Sequence, residues 1–380
     1  MPIRVRLNVM ESTAGTLNTN QSILLKGVCY VLFAYDAARS IDLNAAERRI
    51  HEATQRQTIP HKRRTPRYFE YQPPPLRLNQ EAAPIRIGAF ASLETVDLVI
   101  YDFGAVSVIY GVPIADSFSA LLNLSEDLYD NELLLRDSRE RVKQLVKAIG
   151  NAAVNVHPAD VVEDYVVFRI DPPNRPFDTD GFCAAHAQDI AQVLRAERQT
   201  LSKQEVEEAL AGRTSFSTED LTIVDWNAAL LVDPEGDDVQ AVLEFANVEL
   251  LEMRYLDQKL DKALDQSYET LSKRLNFPKL LGYYGADLRR VAELQVDNAT
   301  LFEGVNNTLK LLGDQYLARV YRLINRRFHL DEWDSSIIRK LQTLESIYEK
   351  ISDQAANRRL EILEWVIILL IAFSILLEFI

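Results

Sequence analysis

Apolar positions change their rhythm along this chain. Up to Val232 they come in short runs, and beyond Pro234 they recur at helical spacing over long stretches. Ile23 to Phe33 (ILLKGVCYVLF) is an apolar, β-rich run and predicts a strand, followed by a helix signal over Leu43 to Ile50. Leu98 to Tyr101 and Ala105 to Tyr110 predict two strands folded about Gly104 as a hairpin. Helical spacing follows over Ser117 to Leu128 and Ser138 to Ile149, then a strand over Val161 to Ile170. Further helices are expected over Cys183 to Arg195 and Lys203 to Leu210, with a last strand over Leu221 to Val232. Without a regular βαβ repeat, residues 22–233 read as a mixed α+β domain. Residues 1–21 read as a flexible N-terminus without the apolar core of a signal peptide.

After Pro234 and Gly236 the period is helical. Leu250, Met253, Leu256, Leu260, Leu264, Tyr268, Leu271 and Leu275 form one stripe, and Leu301, Val305, Leu309, Leu312, Tyr316, Val320 and Leu323 a second. Asn276-Phe277-Pro278 and Gly282 to Gly285 mark the turn between them. A third stripe, Ile337, Leu341, Leu344, Tyr348, Ile351 and Ala355, alternates steps of four and three, the heptad seam of a coiled coil. Residues 234–357 therefore predict a helical hairpin or coiled-coil stalk that self-associates. From Leu360 the chain reads LEILEWVIILLIAFSILLEFI, preceded by Arg358 and Arg359. As helix, Ile362 to Ile380 would span about 28 Å. Residues 358–380 are thus expected to be a single C-terminal transmembrane helix. Trp365, Ile368, Leu369, Ile371, Phe373 and Leu376 would serve as its anchor, with the bulk of the chain on the cytoplasmic side. A helix buried between subunits is the competing reading.

Charge narrows the partners. The 380 residues carry a net −14, yet residues 1–95 hold 13 Lys/Arg against 8 Asp/Glu. A chain this acidic cannot coat nucleic acid generally, so any such contact is confined to a patch. One patch is the loop over residues 56–77, with Lys62, Arg63, Arg64 and Arg67. Another is the stripe Arg319, Arg322 and Arg326, with Arg327 beside it and Tyr321 and Phe328 interleaved, a composition that can stack on and pair with RNA. Folding the hairpin near residue 281 would instead set Arg322 close to Asp237, Asp238 and Glu244, so internal ion pairing competes with a partner.

Catalytic signals are sparse. Cys29 and Cys183 sit in no CxxC pair, the five histidines are scattered, and neither a disulfide framework nor a zinc site is indicated. No phosphate-binding glycine loop or nucleophile elbow occurs, and Asp102-Phe103-Gly104 reads as a turn rather than a kinase metal motif. Asp257, Asp261, Asp265 and Glu269 recur every fourth residue. Such a stripe is either a weak metal or basic-partner site or a solvated face eased by Arg254, Lys259 and Lys262. Its mirror segment in the hairpin, with Glu293, Asp297 and Glu303, offers no relief, so the stripe should meet water or a partner. No cofactor and no small-molecule substrate are indicated.

Several segments carry a resemblance. LEWVIILLI (Leu363 to Ile371) with the preceding KLQTLESIYEKISDQAANRR, LEFANVELLEMRYLDQKLD (Leu243 to Asp261), KGVCYVLFAYDAARSIDL and VIYDFGAVSVIYGVP resemble the "required for meiotic nuclear division" family, also called the Sad1-interacting-factor-like family. That resemblance implies a domain of unknown function whose mitochondrial members are inner-membrane proteins supporting mitochondrial translation. Lacking a long basic targeting extension, the chain resembles a bacterial member, which implies the bacterial inner membrane, with the mitochondrial inner membrane as the alternative. The expectation is a membrane-tethered, non-enzymatic, homo-oligomeric scaffold that holds a cytosolic partner such as the translation machinery, through ribosome or RNA contacts. The alternatives are a metal-dependent enzyme using the carboxylate stripe and a purely structural membrane oligomer.

Overall fold

The computed structural model describes residues 23–54, 74–157, 160–173, 176–233, 236–274 and 315–378. Its centre is β1 (Leu25–Asp36), on which the period of two can be read directly. Leu25, Cys29, Val31, Phe33 and Tyr35 enter one core, and Leu32 and Ala34 enter a second core on the opposite face. A strand apolar on both sides needs a layer on both sides.

The strand β1 is flanked by antiparallel partners, β7 (Ala105–Asp116) and β9 (Val162–Ile170). Beyond β7 lie β6 (Thr95–Ile100) and the edge strand β3 (Leu76–Glu81). Beyond β9 come β12 (Ala228–Val232), β11 (Leu221–Val224) and the edge strand β10 (Arg213–Thr214), with β12 parallel to β9. Two short ladders sit outside this eight-stranded sheet: β2 (Ala38–Ile41) with β8 (Ala153–Val156), and β4 (Arg86–Ile87) with β5 (Phe90–Ala91).

The first face is covered by α1 (Leu43–Thr54), α2 (Phe118–Leu128), α3 (Glu132–Ile149), α4 (Thr179–Arg195) and α5 (Lys203–Ala211). Side-chain caps set several of their starts. Asn131 accepts from the Leu134 amide at 3.0 Å, so α3 begins six residues before the expected Ser138. Asp178 does the same for α4, accepting from Gly181. The expected strand over 221–232 is two strands, reversed at Asp225-Trp226-Asn227.

The second face corrects the expected architecture. The long helix α6 (Asp237–Arg274) lies on the sheet rather than rising away from it, placing Val242, Leu243, Phe245 and Ala246 in one core with Leu32, Val167 and Leu231. Two further helices complete the layer, α7 (Gln315–Phe328) and α8 (Leu330–Glu378), joined through His329 in the left-handed region at φ 55°. The heptad positions Ile337, Leu341, Leu344 and Tyr348 are buried with Leu256, Leu260 and Ala263 of α6, and Ser267 Oγ donates to Tyr348 Oη at 3.1 Å. This part of the seam is therefore filled by the chain itself.

The expected transmembrane helix is also not upheld. Among the described residues no helix is long and apolar enough to cross a membrane. The molecule is an α+β fold with a large mixed sheet between two helical layers.

The β6–β7 turn fixes one glycine. Gly104 has φ +107°, and a Cβ there would stand 1.7 Å from the Ala38 carbonyl oxygen. Its own carbonyl accepts from the Ala37 amide at 3.2 Å, so the turn is locked to the β1–β2 connection. Asp102-Phe103-Gly104 is thus a hairpin turn. Gly104→Ala is expected to lower unfolding stability by about 2–4 kcal/mol in urea titration; a loss below about 0.5 kcal/mol would contradict this packing.

Candidate functional site

Much of the charge singled out from sequence is internal. Asp257 and Asp261 of the acidic stripe both meet Lys340 of α8, at 2.7 and 2.6 Å, a relief that sequence alone did not reveal. Asp265 and Glu269 remain on the exposed surface. Among the described residues no group of three or more His, Cys, Asp or Glu could hold a metal ion. The stripe is an inter-helix contact at one end and a solvated face at the other.

Arg327 is likewise structural. It is half-buried, bonds Glu208 through Nη1 at 3.0 Å and approaches Asp225 Oδ1 at 3.9 Å. Asp225 is fully buried and receives Arg195 Nε at 2.9 Å, so two guanidiniums hold the β11–β12 turn against α7. Arg77, at the border of the basic loop, belongs to β3 and pairs with Glu244 of α6 and, at 3.4 Å, with Asp97 of β6. Lys62, Arg63, Arg64 and Arg67 lie outside the described residues.

Arg319, Arg322 and Arg326 behave differently. The acids expected near them are taken elsewhere: Asp237 pairs with Arg169 at 2.5 Å and Glu244 with Arg77. All three are exposed, and among the described residues none makes an ion pair. Arg322 Nε donates to its own helix at Ala318 O (3.1 Å), and Arg326 Nε to Arg322 O (3.4 Å). Spaced at i, i+3 and i+7, they line one outward face of α7.

The row has aromatic neighbours that no local signal marked. At its start Arg319 stands over the Tyr316 ring at 5.7 Å, and Tyr316 packs against Phe216, which is 72% exposed. Trp226, 54% exposed, follows the Asp225 that meets Arg327, which lies about 100° around the helix from the row. Phe216 lies in a strand connection remote from α7 in sequence, so only the fold brings it to the row.

The apolar end of α8 is the other uncovered surface. Trp365, Ile368, Leu369 and Ile371 are exposed together with Leu363, Val366, Ile367 and Leu370. The side chains of Phe373 and Leu376 lie outside those described.

Comparison with known proteins places this architecture. A family model described as the N-terminal domain of uncharacterized protein MJ0711 matches residues 26–238. The chain belongs to this family. A relative from Methanocaldococcus jannaschii, itself named uncharacterized protein MJ0711, is 27% identical over 206 residues, which are 53% of this chain and 62% of the relative. The match thus spans less than two thirds of that relative's length. No solved structure matches. These findings replace the resemblance to the meiotic nuclear division family: the matching family is an archaeal protein's uncharacterized domain. Its matched region comprises the sheet and the first helical layer and stops in the first turn of α6, leaving α7 and α8 outside it while Phe216 and Trp226 lie within it.

The α6–α7 contact carries one titrating group. Glu249 is 4% exposed, and burial raises its carboxyl to about 8 although Tyr321 Oη donates to it at 2.7 Å. A carboxyl raised on folding favours the folded state fully below its ordinary value near 4.5, and that favour is lost as pH rises through 8. Glu163, raised to about 7 by burial, adds in the same direction. Thermal stability should therefore fall by several degrees between pH 5 and 8.5. Glu249→Gln should shrink that fall, measured by differential scanning fluorimetry; an equal fall in both proteins would contradict a buried, protonated Glu249.

Proposed function

We propose that the chain is a non-enzymatic scaffold attached to a membrane surface through the apolar end of α8, presenting its α+β body and α7 to a partner in the aqueous phase. The observation that supports it is exposure on every side of the helix. From Leu363 to Ala372 all ten described positions are exposed and apolar except Glu364. A coiled-coil partner uses one stripe, whereas this stretch can rest any side against the apolar boundary of a lipid surface. Trp365 at the start of the run suits an interfacial aromatic, and Arg358 and Arg359 favour the cytoplasmic side. From Leu330 to Leu360 the helix rises about 45 Å, so α7 stands far from the lipid. The pairing of Asp257 and Asp261 with Lys340 supports this reading over a metal-dependent one that would use those two carboxylates.

Vesicle flotation tests this. The full chain is expected to float with lipid vesicles, while a chain ending at Asn357 stays at the bottom of the gradient. A full chain that stays down and sediments as a larger oligomer would overturn lipid attachment in favour of pairing between these helices. Flotation of the shortened chain would place the attachment elsewhere.

A further inference from the structure

We propose that the outward face of α7, with Phe216 at its start, is a binding surface for single-stranded nucleic acid. The inference names the partner class of the scaffold described above, but the binding itself needs no membrane.

Three observations converge on this face. First, among the described residues Arg319, Arg322 and Arg326 make no ion pair, in a chain of net charge −14. Elsewhere the described arginines are often committed: Arg77, Arg141, Arg169, Arg195, Arg254 and Arg327 all sit in ion pairs. Positive charge left unpaired against that background is what a phosphate backbone requires.

Second, nearby acids are occupied. Asp220 accepts from the Phe216 and Ser217 amides at 2.8 and 2.5 Å, and Glu208 is held by Arg327. Neither carboxylate is spent on the row, and each stabilises the loop or turn beside it.

Third, an exposed ring stands at the start of the row. The Phe216 ring lies 5.5 Å from Tyr316, over which Arg319 stands and whose hydroxyl is 3.3 Å from Thr222 Oγ1, so the ring's support is fixed to the sheet. An exposed aromatic on a rigid support beside arginines offers stacking to unpaired bases, which a duplex keeps buried in its own stack. That geometry favours a single strand over a duplex.

The test uses the full chain in detergent, with a fluorescent single-stranded oligonucleotide of RNA or DNA, a hairpin duplex of equal charge, and inorganic polyphosphate as competitor. Three phosphate contacts to a single strand predict a slope of log affinity against log salt of about −2. The triple variant Arg319→Ala/Arg322→Ala/Arg326→Ala should bring the slope near zero and weaken binding at low salt by more than about 30-fold. Phe216→Ala should weaken the single strand about 10-fold at unchanged slope and leave polyphosphate competition unaltered. All four positions are exposed, and circular dichroism with melting curves confirms that each variant is folded. Equal affinity of wild type and the triple variant, or no binding at 50 mM salt, would overturn the surface. Equal affinity for duplex and single strand, or a Phe216→Ala variant without effect, would overturn the single-strand assignment. None of these readouts depends on vesicles, so a failure of lipid attachment is seen separately.

Discussion

Everything in this molecule depends on β1 being apolar on both faces. Its odd-numbered residues from Leu25 to Tyr35 require one helical layer, and Leu32 and Ala34 require another. At about 25 cal/mol for each Å² removed from water, neither face can be left open. The first layer comes from the helices between and after the strands. The second comes from the long helices that follow the last strand, so α6 is a wall of the core.

That constraint decides which polar and apolar groups remain available. The heptad seam of α8 is consumed by α6 as far as Tyr348, two stripe carboxylates are consumed by Lys340, and Arg327 is consumed by Glu208 and Asp225. Among the described residues, three arginines of α7 beside Phe216 and the apolar end of α8 stay uncovered. The arginines and the end of α8 lie outside the region matched by the family model, whereas Phe216 lies inside it.

The sheet was partly legible in the residues. A continuous apolar run identified β1, and Gly104 between two β-rich runs identified the β6–β7 hairpin. The β11–β12 reversal was hidden because Asp225-Trp226-Asn227 contains neither glycine nor proline. The short outer strands β2, β3 and β8 were hidden because their half-exposed residues carry little hydrophobic pattern. For the helices, periodicity showed that a stripe would be buried but not against what, and that gap produced the detached stalk. The arginine row was visible at i, i+3 and i+7. Arg327, about 100° around the helix from Arg326, points away from that face. Phe216 joins the arginine row only through tertiary folding, and no spacing in one sequence could bring it forward.

Native-state hydrogen exchange of the full chain tests most directly whether α6 is part of the core. Amides of β1 between Val31 and Tyr35 and of α6 between Val242 and Leu256 are expected to open together, with the same free energy and the same denaturant dependence. Exchange of the α6 amides at much lower free energy, with β1 still protected, would contradict the shared core and restore a helical stalk independent of the sheet.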